Sequence, residues 1–234
     1  GNVIMGQNVD WHPDAPVDLL RIKHADGMEQ LALCLLGSSL YYLNSAGLCN
    51  CANLTLCPAG AIKNHIPLAI YLWETMRRDS MDRAMDILKA SARGFGYYHL
   101  VDEAGNMAGI ESIDSGYTLM EPENGMMVHA NHYENEAYRK TDLAYTYIPD
   151  SFGRADRLRE LISSAAGSVT PEMMMGFLAD HRNRPDSICS HVDESKPPEM
   201  ASMSIASIVM VPKERKMFIA FGPPCENTHA EYAI

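Results

Sequence analysis

The opening run Gly1–Trp11, GNVIMGQNVDW, restricts the fold more than any other stretch of the chain. Val3, Met5 and Gln7 alternate with Ile4, Gly6 and Asn8, the period of a strand with one apolar face. Asn8 and Asp10, two residues apart, leave that strand on the same side just before Trp11 and Pro13 end it. Polar side chains so placed are hydrogen-bonded or do chemistry, because a buried unpaired group costs about 1–3 kcal/mol. An Asp that caps a turn meets this requirement as well as an Asp in a catalytic site, so the strand alone leaves both readings open.

The hydrophobic period sorts the remainder into strands, helices, strands, helices and strands. Strands are expected at Leu19–His24 and Gln30–Ser38, turning at Asp26-Gly27, and at Tyr41–Leu43 and Leu48–Leu54, turning through Asn44–Gly47. Ile66, Ala69, Ile70, Trp73 and Met76 then fall at helical spacing, as do Met81, Ala84, Met85, Leu88 and Ala92. Asp79 or Ser80 suits the start of the second helix and Gly94 its end. A hairpin Tyr97–Asp102 with Met107–Ile113 follows, then strands Tyr117–Met120 and Met126–His132. Helices are expected at Ser151–Ala165 and Pro171–Asp180, the latter with Thr170 as N-cap, and a hairpin of Ala201–Val211 with Lys216–Phe221 comes last. Short connections imply antiparallel pairing, and no glycine-rich phosphate loop is present. The pattern predicts one α+β layered domain over residues 1–234 and excludes a βαβ nucleotide-binding fold.

Lys and Arg number 19 against 30 acidic residues, a net charge of −11 with no basic cluster to offset it, which argues against a nucleic-acid partner. The longest apolar run, around Leu31–Leu36, is too short to span a bilayer, and no export segment is visible, so the cytoplasm is the expected compartment. The chain opens inside a strand without an initiating Met, and a front segment is expected to be missing. Six cysteines are too few and too scattered for a disulfide framework. Cys49 and Cys51 share a strand face with Cys57 nearby, yet the spacing fits no common zinc pattern, and neither a metal nor an organic cofactor is expected.

Three other stretches carry reactive side chains. His129-Ala130-Asn131-His132 reads as a strand end, where the Asn131 amide can donate to an oxyanion; His129 and His132, three apart, face opposite ways and make a poor metal pair. Arg154 and Arg157 lie on one helix face and can hold a substrate carboxylate or pair with Asp150 and Asp156 at the surface, the second reading being favoured. Ser187–His191 brings Cys189 and His191 close in sequence, but strand neighbours point apart, so this is weak ground for a nucleophile pair.

Taken in order, GQNVDW, Asn44-Ser-Ala-Gly-Leu48 followed by Asn53, His129–His132, the Asp150-Ser…Arg154 helix, Ser187-Ile-Cys189 and Phe221-Gly-Pro-Pro-Cys225 form a set. The set resembles the isopenicillin-N acyltransferase / carcinine hydrolase family of N-terminal nucleophile hydrolases, from Gly6 to Cys225. The resemblance implies a four-layer αββα sandwich of two antiparallel sheets between helix layers. It also implies a precursor that cuts itself before a cysteine, whose thiol is the nucleophile and whose α-amine, with a pKa near 8, is the base.

By the match, Asp10 anchors and orients that amine and Asn131 supplies an oxyanion donor, with Asn53 as a second. Arg154 positions structure or substrate, and His132 is a further substrate-side candidate. The expected activity is cleavage of a linear amide or an acyl-CoA thioester through an acyl-thioester, passing the acyl group to water or an amine. The partner is therefore a small-molecule acyl amide or acyl-CoA, and a homo-oligomer stays open. The family's cysteine would stand upstream of Gly1. Ser190 and Met200 occupy positions where relatives carry Arg, which argues against a penicillin-like carboxylate as substrate. The competing reading is a catalytically inactive sandwich that binds small acylated amines or a protein partner.

Overall fold

A computed structural model of the chain describes residues 3–58, 68–91, 96–113, 116–165 and 167–234. Strand β1 (Met5–Trp11) is followed by β2 (Val17–Lys23), β3 (Glu29–Leu35), β4 (Ser38–Asn44) and β5 (Leu48–Asn53). Helices α1 (Leu68–Thr75) and α2 (Met81–Ser91) precede β6 (Gly96–Asp102), β7 (Met107–Ile113) and β8 (Gly116–Met120). Next come α3 (Glu136–Arg139), α4 (Ala144–Tyr147), α5 (Asp150–Ser164) and α6 (Pro171–Leu178). The chain closes with β9 (Met203–Val211), β10 (Lys216–Phe221) and β11 (Ala230–Ala233).

Strands β2 to β8 form a seven-stranded meander in chain order, and β1-β9-β10-β11 form a second, four-stranded sheet. Every pairing is antiparallel. Between the sheets Met5 and Val9 of β1 meet Leu33, Leu43, Ile208 and Met217. Leu72 of α1, Met76 just after it, and Ala84 and Leu88 of α2 cover the other face of the larger sheet, against Tyr42, Leu48 and Leu100. Met174 and Leu178 of α6 cover the smaller sheet at Val209, with Leu158 and Leu161 of α5 beside them. This is the αββα sandwich. Each fully buried aliphatic side chain contributes about 1.5–3 kcal/mol, and β3, buried from Gln30 to Leu35, draws on both interfaces.

Local chemistry seats the helix layer on β1. Thr170 accepts a hydrogen bond from the Met173 amide, and Pro171 takes the first helical position, where its missing N–H is not needed. A Cβ on Gly6 would stand 2.6 Å from Met174 Cγ, so only glycine lets α6 lie this close to the strand.

Four sequence expectations are corrected. Gln30–Ser38 is not one strand: Leu36 and Gly37 take positive φ (52° and 76°) and make the tight turn between β3 and β4, a conformation that a leucine does not advertise. The buried side of α1 carries Leu72 and Thr75, with Met76 buried just after it, whereas Ile70 and Trp73 are exposed; a helix apolar on every side gives the period no face to choose. Ile66, Ala92 and Gly94 lie outside the described residues. Met126–His132 is not a strand, having only the isolated Glu123–Met126 bridge, and β11, α3 and α4 were not foreseen.

Candidate active site

The β1–β9 register shifts by one residue between Val9 and Asp10: Val9 faces Ala206 and Asp10 faces Ser204, leaving Ile205 unopposed. Such bulges re-aim the side chains beside them. One oxygen of Asp10 accepts a 2.7 Å hydrogen bond from the Ser204 hydroxyl, which itself accepts from the Ser190 amide at 3.0 Å. The other oxygen lies 3.8 Å from Nη1 of Arg154. Asp10 therefore faces across the sheet instead of capping a turn.

Arg154 projects from the first turns of α5 and spreads its fork over three partners. Nε donates to Asp150 at 2.6 Å, Nη2 donates to the Asn131 side-chain oxygen at 2.8 Å, and Nη1 faces Asp10. The expected pairing with Asp150 is present, but with the side chain only 13% exposed its place at the surface is corrected. Arg157 pairs with Asp180 and Glu160, and Asp156 goes to Arg159. Burial pushes the Asp10 carboxyl above its ordinary value; the Arg154 charge and the Ser204 hydroxyl pull it back, while Asp150 adds to the rise.

The irregular segment that was expected to be a strand settles its polar groups on α5 and β5. The Asn131 amide nitrogen donates to Ser151 Oγ at 2.7 Å, and its side-chain NH₂ donates to the Leu54 carbonyl at 3.0 Å, leaving one N–H of that NH₂ over. His132 is buried behind this point, 2.8 Å from Ser151 Oγ and 3.3 Å from Glu134, with its ring stacked on Phe152. His129 stacks on Tyr97 at 3.7 Å and lies 3.0 Å from the buried Glu111 carboxylate.

A cavity of about 820 Å³ opens beside these groups. Its polar wall includes Gln7, Asn8, Asp10, Asn53, His99 and Arg154; its apolar wall includes Met5, Met107, Met126, Met127, Met174 and Leu158. Asn53 makes no side-chain hydrogen bond to another described residue. Asn131 does not line the cavity and joins the group through Arg154, whereas His132 stands away from it. Asn8 donates at 2.8 Å to both Leu178 and Ile188 carbonyls, and Gln7 donates at 2.6 Å to Ala52 O, so β1 is tied to α6, to the loop at Ile188 and to the larger sheet. Cys51 reaches the cavity, but burial raises its thiol far above the neutral range, which makes it a poor nucleophile. Cys49 and Cys51 share the inter-sheet core, as their spacing implied.

His99 was not singled out by sequence, because a lone histidine in a strand gives no signal. Its Nε2 is buried without a partner among the described residues, and burial with the neighbouring His129 lowers its pKa to about 4. Between pH 6.5 and 4 the unfolded chain binds a proton there that the folded chain refuses. Acidification through that window is thus expected to remove about 3 kcal/mol of stability. Urea unfolding at pH 7, 5 and 4 checks this; the His99→Gln variant should show a shallower pH slope, and a slope equal to the parent's contradicts the assignment.

The sequence matches, over residues 1–226, the family described as acyl-coenzyme A:6-aminopenicillanic acid acyl-transferase. The chain belongs to this family. No curated protein matches it in sequence. Among solved structures it is similar to penicillin V acylase from Agrobacterium tumefaciens, with TM-score 0.62 and 14% identity over 94% of this chain and 79% of that one. It is also similar to the Caenorhabditis elegans ortholog of N-acylethanolamine-hydrolyzing acid amidase, with TM-score 0.61 and 14% identity over 91% and 89% of the two chains. A variant of conjugated bile acid hydrolase from Clostridium perfringens follows at TM-score 0.57 and 9% identity, over 99% and 93%. At such identities the likeness establishes a shared sandwich fold, and the family match adds the acyltransferase kinship.

Proposed function

We propose that the chain is the body of an N-terminal-cysteine amide hydrolase or acyltransferase working through an acyl-thioester. The observation that carries this reading is one guanidinium, Arg154, holding Asp10 on one side and Asn131 on the other at the rim of an apolar cavity. Among the described strands β1 lies at the edge of its sheet, so a strand bearing the cysteine has room to pair beside it and deliver its terminus toward Asp10.

In this mechanism the cysteine sulfur attacks the carbonyl carbon and its proton passes to the α-amine. Asp10 fixes that amine; an ammonium arriving beside the carboxyl favours its charged form and offsets the effect of burial. The developing oxyanion takes a hydrogen bond from the Asn53 amide, which lines the cavity, while Asn131 acts through Arg154, whose fork it helps to hold. Collapse expels the amine, or the thiol of an acyl-CoA donor, which takes up the proton. Water or an acceptor amine then attacks the thioester and restores the free thiol. The methionine-lined wall takes the acyl portion.

The complete gene, expressed and purified, should yield a mature chain beginning with cysteine and losing its thiol reactivity after brief treatment with an alkylating reagent, together with its amidase activity. Intact-mass measurement that finds no processed chain, with no terminal cysteine labelled, rejects the enzyme and leaves the binding scaffold.

A further inference from the structure

Four side chains from three segments of the chain converge beside Ser190. His181 follows the end of α6, Cys189 and His191 lie on the loop that returns toward β9, and Cys225 comes from the Pro-Pro turn after β10. The loop is irregular, not a strand, so Cys189 and His191 turn to the same place, contrary to the sequence expectation. Backbone bonds set it: the Cys189 amide donates to Asp180 O at 3.0 Å and the His191 amide to Pro185 O at 3.1 Å.

The distances are those of co-ligands. Nε2 of His181 and Nε2 of His191 are 3.0 Å apart, Cys189 and Cys225 sulfurs 3.5 Å, and each sulfur lies 3.6 or 3.5 Å from His191 Nε2. All four ligand atoms lie within 4.8 Å of one another. A tetrahedral zinc with Zn–S about 2.3 Å and Zn–N about 2.0–2.1 Å sets S···S near 3.8 Å, S···N near 3.5 Å and N···N near 3.3 Å. Hydrogen bonding accounts for the group poorly, since two imidazole nitrogens and two weakly donating thiols all offer lone pairs to one point. A disulfide needs its sulfurs about 2.05 Å apart and an oxidant to remove two electrons; 3.5 Å is not that geometry.

We propose that His181, Cys189, His191 and Cys225 form a structural zinc site. Two thiolates and two imidazoles suit Zn²⁺ over harder cations, and four protein ligands leave no open position for substrate. Glu226 lies 4.0 Å from Nδ1 of His191, in place to orient that ring. Common zinc spacings do not reveal the site, because its ligands come from three separate segments. It also bears on Asp10 from outside: Ser190, between two ligands, donates to Ser204, which donates to Asp10, and Ile188 on the same loop accepts from Asn8. The metal thus clamps the loop that positions the strand end, whether or not the acyl-transfer reading holds.

The test uses the full-length protein purified under reducing conditions and equilibrated with Zn²⁺, then freed of excess metal. Elemental analysis should find one zinc per chain, and Co²⁺ in its place should give the visible bands of a tetrahedral thiolate complex. Cys225 is exposed, so Cys225→Ser should fold normally yet bind zinc more weakly by over about 100-fold, since even partners of ligands are worth about 10–100-fold. His229→Gln should retain the metal, and chelation should lower the melting temperature of the parent but not of Cys225→Ser. Absence of stoichiometric zinc, unchanged affinity in Cys225→Ser, or a Cys189–Cys225 disulfide in protein prepared with zinc present would each overturn the assignment.

Discussion

Asp10→Asn is expected to lower kcat/KM on an acyl amide by on the order of 10³-fold while leaving the melting temperature within a few degrees of the parent. The asparagine keeps the shape of the side chain and can still accept from the Ser204 hydroxyl. What disappears is the negative charge that, in the proposed mechanism, holds the α-amine as a base. Stability changes little because burial already disfavours the charged carboxyl, so a neutral amide is the easier group to enclose. Steady-state kinetics with a thermal melt separates the two effects. A variant retaining activity within tenfold of the parent removes Asp10 from the chemistry.

Arg154→Met is expected to act on the fold itself. Without the guanidinium, Asp10 and Asp150 face each other with no cation between them, and the Asn131 oxygen loses its donor. Removing one partner of a mostly buried ion pair costs about 3–5 kcal/mol. For a chain of this size that lowers the melting temperature on the order of 10 °C. The loss should shrink toward acid pH, where protonating one carboxyl relieves the repulsion. Arg154→Lys should recover only part of it, since a point charge cannot reach three acceptors that a planar fork reaches together. A melting temperature unchanged in the methionine variant would show that the fork is not structural.

Much of the sandwich is legible in periodicity: β5, β6, β7, α2, α5 and α6 each carry an apolar repeat with recognisable ends. The division of the strands between two sheets is not, because Met5 pairs with Met210 and nothing local to either residue announces the other. The same limit governs the site. Asp10, Asn131 and Arg154 were singled out by motif, and Asp150 by its helical spacing, but Ser204 is one small polar residue in a strand and its meaning appears only across the β1–β9 register. His129 and His132 were weighed on a strand geometry the segment does not adopt, since β8 offers it no ladder. Cys189 and His191 were set aside for the same reason, when the loop in fact turns both toward His181 and Cys225.

Five methionines, Met5, Met107, Met126, Met127 and Met174, stand in the wall of the cavity. Such side chains are unbranched and turn about three bonds, so they close around guests of differing outline at little cost. A surface of this kind cannot sort straight tails from branched or unsaturated ones by contour. Under the proposed function, what it can measure is reach: an acyl tail is welcomed up to the depth of the space and refused beyond it.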